Sequence, residues 1–157
     1  MVTGSPRDTF FASIGGVSEH LESSVYMPSP YNALVRSFLR TLESGDFDPA
    51  TLEPLVHAEA VLHAPDGDQD VDFAAVAGIS GYLTRLRDAS GGTLTLKPNS
   101  FEIRDRGAVS LVDATGTRDG DEFSERVRVV MGLADGRVRE LWIDPVDRES
   151  FGRAFGE

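Results

Sequence analysis

The chain contains no cysteine. Disulfides, thiolate nucleophiles and cysteine-ligated metals are therefore excluded. Only three histidines occur, His20, His57 and His63, and none has the spacing of a helical zinc pair, so no metal is expected. Positive charge is scarce: 15 Lys and Arg against 26 Asp and Glu leave a net charge of −11. That field repels phosphate backbones and anionic lipids, so neither nucleic acid nor a membrane is expected as a partner. No apolar run approaches the ~20 residues of a membrane span. Phe10 to Gly16 is too short and too glycine-rich for a secretory core, and Arg7-Asp8 precede it. A cytoplasmic location is the default expectation. The acidic run Asp66 to Asp72, DGDQDVD, resembles a calcium loop only loosely, because Ala77 stands where that loop ends in glutamate. A solvated loop is the simpler reading.

What is present suits one ordinary domain. The 157 residues, 40% of them hydrophobic, can bury a core of useful size. Residues 1–29 read as an irregular arm with one short helical pattern at Ser18 to Val25, and residues 30–157 as the domain. Pro30 suits the first position of a helix capped by Ser29. Leu34, Val35, Phe38, Leu39 and Leu42 recur at helical spacing, and Gly45 ends the pattern. Asp48-Pro49 starts a second helix, with Leu52, Leu55 and Val56 inward. Ala60 to Ala64 reads as a short strand, and Phe73 to Asp88 as a third helix broken by Gly91-Gly92. Strands follow at Thr93 to Lys97, Ser100 to Arg104, Ala108 to Thr117, Phe123 to Leu133 and Val138 to Asp144. Asp147 to Phe155 reads as one or two helical turns.

The most informative segment is Arg126 to Pro145, RVRVVMGLADGRVRELWIDP. Val127, Val129, Met131 and Leu133 alternate up to Asp135-Gly136, a strong hairpin signal. With Gly136 left-handed in a three-residue bulged loop, Leu141 and Ile143 share the face of Val127, Val129 and Met131. The element order, three helices with an early strand and then an antiparallel meander, predicts an α+β fold with helices on one face of a curved sheet.

That order, with several local strings, resembles the SnoaL-like branch of the nuclear transport factor 2-like superfamily. The strings are Gly45-Asp46, His63-Ala64-Pro65, Ala77 to Leu83 (AGISGYL) and the closing LADGRVRELWIDP. They span about Tyr31 to Asp144. The resemblance implies a cone, a strongly bent antiparallel or mixed sheet wrapped by three N-terminal helices around a central pocket, with a small apolar organic ligand, no cofactor and a homodimer formed through the outer sheet face.

The family contains both enzymes and binding proteins, so fold alone does not decide activity. The acid and base positions of its ketosteroid isomerase members fall here on Ala64, Phe38, Val129 and Leu83. A proton shuttle at those places has neither base nor acid, so steroid isomerisation is not expected. The last-strand aspartate of its limonene epoxide hydrolase members falls on Leu141. A one-residue register slip would turn Asp113, Arg128, Glu140 and Asp144 inward, a set suited to epoxide opening. It would also expel Val127, Val129, Met131, Leu141 and Ile143 from the core.

In the register without the slip, Phe38, Leu62, Ala64, Leu83, Val112, Val129, Met131 and Leu141 are the expected pocket wall. His63, Tyr82 and Asp144 are the expected acid-base groups, each with a plainer alternative. His63 can bond a loop carbonyl, Tyr82 can pack in the core with its hydroxyl at the edge, and Asp144 can anchor the C-terminal turn. The expectation is a cofactor-independent cyclase, isomerase or epoxide-opening enzyme acting on a polyketide- or terpenoid-like substrate. The alternatives are a non-catalytic ligand carrier or accessory protein, and a structural dimer whose cavity is filled by side chains.

Overall fold

The computed structural model describes residues 29–66 and 69–155, and the expected helical pattern at Ser18 to Val25 lies outside them. Helix α1, Asn32–Ser44, buries Val35, Phe38, Leu39 and Leu42, the stripe its periodicity defines. It begins two residues later than Pro30 predicts. The Ser29 hydroxyl instead accepts the Tyr31 N–H at 3.0 Å and shapes the turn before it. Gly45 closes α1 at φ 78°, where a side chain would be strained. Asp48 caps α2, Pro49–Leu52, through the Ala50 N–H at 2.9 Å. That helix is a single turn, because the chain is already a strand by Val56.

Strand β1 runs Val56–Asp66 and pairs antiparallel with β2, Gln69–Ala74. The acidic run expected as a loop is thus largely an edge strand. Its alternation puts Val71 and Phe73 on one face and the carboxylates of Asp70 and Asp72 on the solvated face, a common defence of an exposed edge. Helix α3 is Ala75–Ala89, and Phe73, expected to open it, belongs to β2.

Four strands complete the sheet: β3 Thr95–Arg104, β4 Gly107–Arg118, β5 Asp121–Ala134 and β6 Arg137–Pro145. The two short strands expected around Pro98-Asn99 are one, interrupted by an irregularity between Pro98 and Ser100. Proline is tolerated there because β3 is an edge strand. Helix α4, Arg148–Phe155, ends the described chain. The order across the sheet is β2-β1-β6-β5-β4-β3, antiparallel throughout except for β1 beside β6. The sheet is bent and unclosed, as the α+β reading required. The helices pack against its inner face.

The Asp135-Gly136 turn is tighter than expected. Ala134 pairs with Arg137, and both turn residues have positive φ, 56° and 76°. A two-residue turn of that kind suits the twist of the flanking strands. The extra residue lies further down, where pairing shifts between Gly132 opposite Glu140 and Leu133 opposite Val138. This bulge puts Met131 opposite Leu141 and Val129 opposite Ile143, so the apolar sets do share one face. Val127, Val129, Met131, Leu141 and Ile143 are all buried in the core, and the slipped register is excluded.

Candidate functional site

The concave side of the sheet is apolar and almost full. All eight expected wall residues are buried there: Phe38, Leu62, Ala64, Leu83, Val112, Val129, Met131 and Leu141. Leu83, Val112 and Val129 border a small chamber, together with Leu42, Leu86, Leu96, Ala114, Val127, Ile143, Phe151 and Phe155. Every side chain on that wall is a hydrocarbon. The chamber measures about 30 Å³. That is room for roughly one water molecule, against ~150 Å³ for a cavity that takes a benzene ring. Phe151 and Phe155 of α4 supply part of the chamber wall.

The three expected acid-base residues do not meet. Leu62 and Ala64 face inward on β1, so His63 between them faces outward. Its Nδ1 lies 2.7 Å from Asp72 and its Nε2 lies 2.8 Å from Glu140, and its ring stacks on Trp142 at 5.2 Å. Each contact uses a ring N–H as donor, so both form together only when both nitrogens carry protons. The cluster clamps β2, β1 and β6 on the outer face. Asp144 is also outside, paired with Arg128 at 3.3 Å. Tyr82 is inside, buried on α3 with its ring 5.0 Å from Phe73. The sheet separates His63 and Asp144 from Tyr82 and from the chamber.

Asp113 and Glu140, the other members of the slipped set, face outward too. Asp113 accepts from Asn99 at 2.9 Å and from Arg126 at 3.0 Å. The Asn99 amide first, and then the Arg126 guanidinium, hold its carboxyl below the usual carboxylate range.

One carboxylate does lie on the inner side, and the sequence reading missed it. Glu125 pairs with Ala114 across β5 and β4, and only 7% of it is exposed. Its Oε2 accepts the Ser150 hydroxyl of α4. The signal was available: Glu125 continues the alternation Phe123, Glu125, Val127, Val129 that defines the inward face. It borders a second, wider groove of about 560 Å³ beside α4, whose lining includes Arg118, Arg153 and Ser150 and also the carboxylates of Asp119, Asp121 and Glu122. Glu125 therefore stands at the partition between the apolar chamber and this polar groove.

Helix α4 is held by contacts from several elements. Asp147 caps it through the Ser150 N–H at 3.0 Å. Arg148 pairs with Asp70 of β2 at 2.9 Å, and Arg118 of β4 donates to the Ala154 carbonyl at 3.0 Å. Phe155 packs on Phe151 at 4.7 Å and edge-on against Phe123 at 5.0 Å.

No protein-family profile and no curated protein sequence matches the chain. Solved structures do. Bal32a, from a soil-derived mobile gene cassette, superposes with a TM-score of 0.70 at 21% identity over 78% of this chain and 94% of its own. TerC, co-crystallised with polyporic acid, gives 0.67 at 17% identity over 82% and 100%. A protein from Jannaschia sp. CCS1, described as a candidate SnoaL-like polyketide cyclase, gives 0.66 at 16% identity over 84% and 98%. The chain thus has the SnoaL-like, nuclear transport factor 2-like fold. At these identities the likeness carries the fold and not the chemistry. Among the described residues no helix is long and apolar enough to cross a membrane.

Proposed function

We propose that the cone binds a small apolar organic molecule. The observation that carries this reading is the all-hydrocarbon wall beneath α4, which takes an organic molecule only when that helix moves aside, on the concave side of a fold whose solved neighbours include a protein co-crystallised with polyporic acid. Neutral bicyclic aromatics added to the protein should raise its melting temperature in a concentration-dependent way, as any ligand selective for the folded state does. Methyl resonances of Leu83 and Val129 should shift as they bind. Stabilisation without those methyl shifts would place the ligand elsewhere and sink the reading.

A second reading adds catalysis: cofactor-independent cyclisation, isomerisation or epoxide opening on a polyketide- or terpenoid-like substrate. It is favoured by the neighbours described as polyketide cyclases and by the buried Glu125 on the inward face of β5. In this reading Glu125 is the base, since it is a buried carboxylate on the inward face of β5. Tyr82 is the one expected acid-base residue on the same side of the sheet. Turnover of a bound ligand, followed by mass spectrometry, should collapse in Glu125→Gln. Turnover unchanged in that variant would remove the assignment.

The homodimer remains part of the proposal. Val61, Val109 and Leu111 lie half-buried on the outer face among the ion pairs. Sedimentation equilibrium at micromolar concentration should return twice the chain mass, and a monomer throughout would rule it out.

A further inference from the structure

We propose that α4 occupies the ligand site as a built-in stand-in for the ligand, and that the ligand is a neutral hydroxylated aromatic molecule which displaces it. The inference deepens the binding reading above and rests on it. Three observations meet here. The chamber is too small for one aromatic ring, yet two of its walls are rings that α4 itself supplies, Phe151 and Phe155. Glu125, the one buried carboxylate among the described residues, sits opposite the chamber residue Ala114 and accepts a hydroxyl from the same helix, that of Ser150. Beside the helix lies the open groove that shares Glu125 and Ser150.

Withdrawing α4 would therefore do two things together. It would vacate the space of two phenyl rings against Leu83, Val112 and Val129. It would also free the Glu125 carboxylate from the Ser150 hydroxyl, leaving an acceptor at the edge of the vacated space that a ligand hydroxyl can engage. The molecule that best reverses both changes carries an aromatic body for the chamber and a hydroxyl for Glu125. A carboxylate-bearing ligand fits poorly, since it would bring a second negative charge against Glu125.

Helix α4 is only eight residues long, and it meets β5, β6 and α3 through the buried Phe151 and Ala154 and the partly buried Phe155. Arg148, Arg118 and Ser150 hold it by polar contacts at separate points. Apparent affinity then scales with the fraction of molecules whose helix is withdrawn.

The test uses the full chain with 2-naphthol and, as a control lacking the hydroxyl, naphthalene. In the unmodified protein, 2-naphthol should shift the Leu83 and Val129 methyls while speeding amide exchange in residues 148–155. Ser150→Ala alters no wall of the chamber. It should tighten 2-naphthol binding by about threefold to tenfold, the worth of one hydrogen bond holding the helix down. The unmodified protein should prefer 2-naphthol over naphthalene by about tenfold, and Glu125→Leu should abolish that preference. Methyl shifts with α4 exchange unchanged, or equal affinity for the two probes, would overturn the stand-in proposal and leave the binding reading intact. No methyl shift in any variant would overturn the binding reading itself, and this proposal with it.

Discussion

At the scale of single residues, the faces of the strands decide which polar groups can do chemistry. His63 has two carboxylate partners and an aromatic platform, the features that usually mark a catalytic histidine, but they lie on the side of β1 away from the chamber. Its work there is mechanical: it ties the edge strand β2 to β1 and β6. His63→Ala should lower unfolding stability by about 1 kcal/mol, a modest figure because Asp72 and Glu140 are partly solvated. The urea midpoint would report the loss, and ligand-induced shifts at Leu83 and Val129 should be unaffected. Loss of those shifts in a folded His63→Ala protein would restore His63 to the site. Asp113 makes a different prediction. Its folded pKa lies below its unfolded one, through Asn99 and then Arg126. The stabilisation is therefore fully present above the ordinary carboxylate range and is lost as pH falls through the depressed folded value. Asp113→Asn should be less stable than the parent at neutral pH, and the difference should vanish in acid. A difference constant with pH would refute the linkage.

At the scale of elements, most of the architecture was legible because period-two and period-3.6 patterns are strong in this chain. The stripe on α1 and the alternation from Val127 to Leu133 predicted which faces are buried. The hairpin register came out as read although its turn is tighter than read, since the bulge at Gly132/Leu133 adds the residue that the turn does not. Burial of five apolar side chains outweighs turn chemistry in setting that register. What was not legible is how short local signals compete with pairing. Asp70 and Asp72 read as loop residues until a neighbouring strand is present to pair with, and α4 read as a tail because nothing in its sequence says where it docks. His63 shows the same limit from the other side. Its place next to the inward Leu62 and Ala64 already implied that it faces out, but the proximity of His63 to Pro65 drew the chemical reading instead.

The same elements carry a testable link between sheet and plug. Gly116 on β4 faces Phe123 on β5, and a Cβ at residue 116 would stand 2.9 Å from Phe123 Cζ and 3.0 Å from Thr93 Oγ1. Both neighbours would have to give way. Phe123 is the ring against which Phe155 packs edge-on. Gly116→Ala should therefore cost about 1–3 kcal/mol, as overpacking does. It should also speed amide exchange in residues 148–155 more than in β5 and β6. Uniform acceleration across the sheet would mean that Phe123 does not support α4.

At the scale of the whole molecule, charge selects among ligands that shape would admit equally. A net charge of −11 lowers the concentration of any anion near the surface, and that long-range part is screened by salt, since the Debye length falls from about 10 Å at 0.1 M to about 3 Å at 1 M. Glu125 adds a local repulsion that salt screens far less, because the group is buried. 2-Naphthol and 2-naphthoate separate the two. The naphthoate should bind more weakly at low salt, and raising the ionic strength should narrow the gap without closing it. Glu125→Gln should remove most of what remains, because it deletes the charge while keeping an oxygen that can accept the naphthol hydroxyl. If salt alone closes the gap, the repulsion comes from the surface and Glu125 does not meet the ligand. If neither salt nor the substitution changes it, the discrimination comes from the shape of the chamber and not from the charge of Glu125.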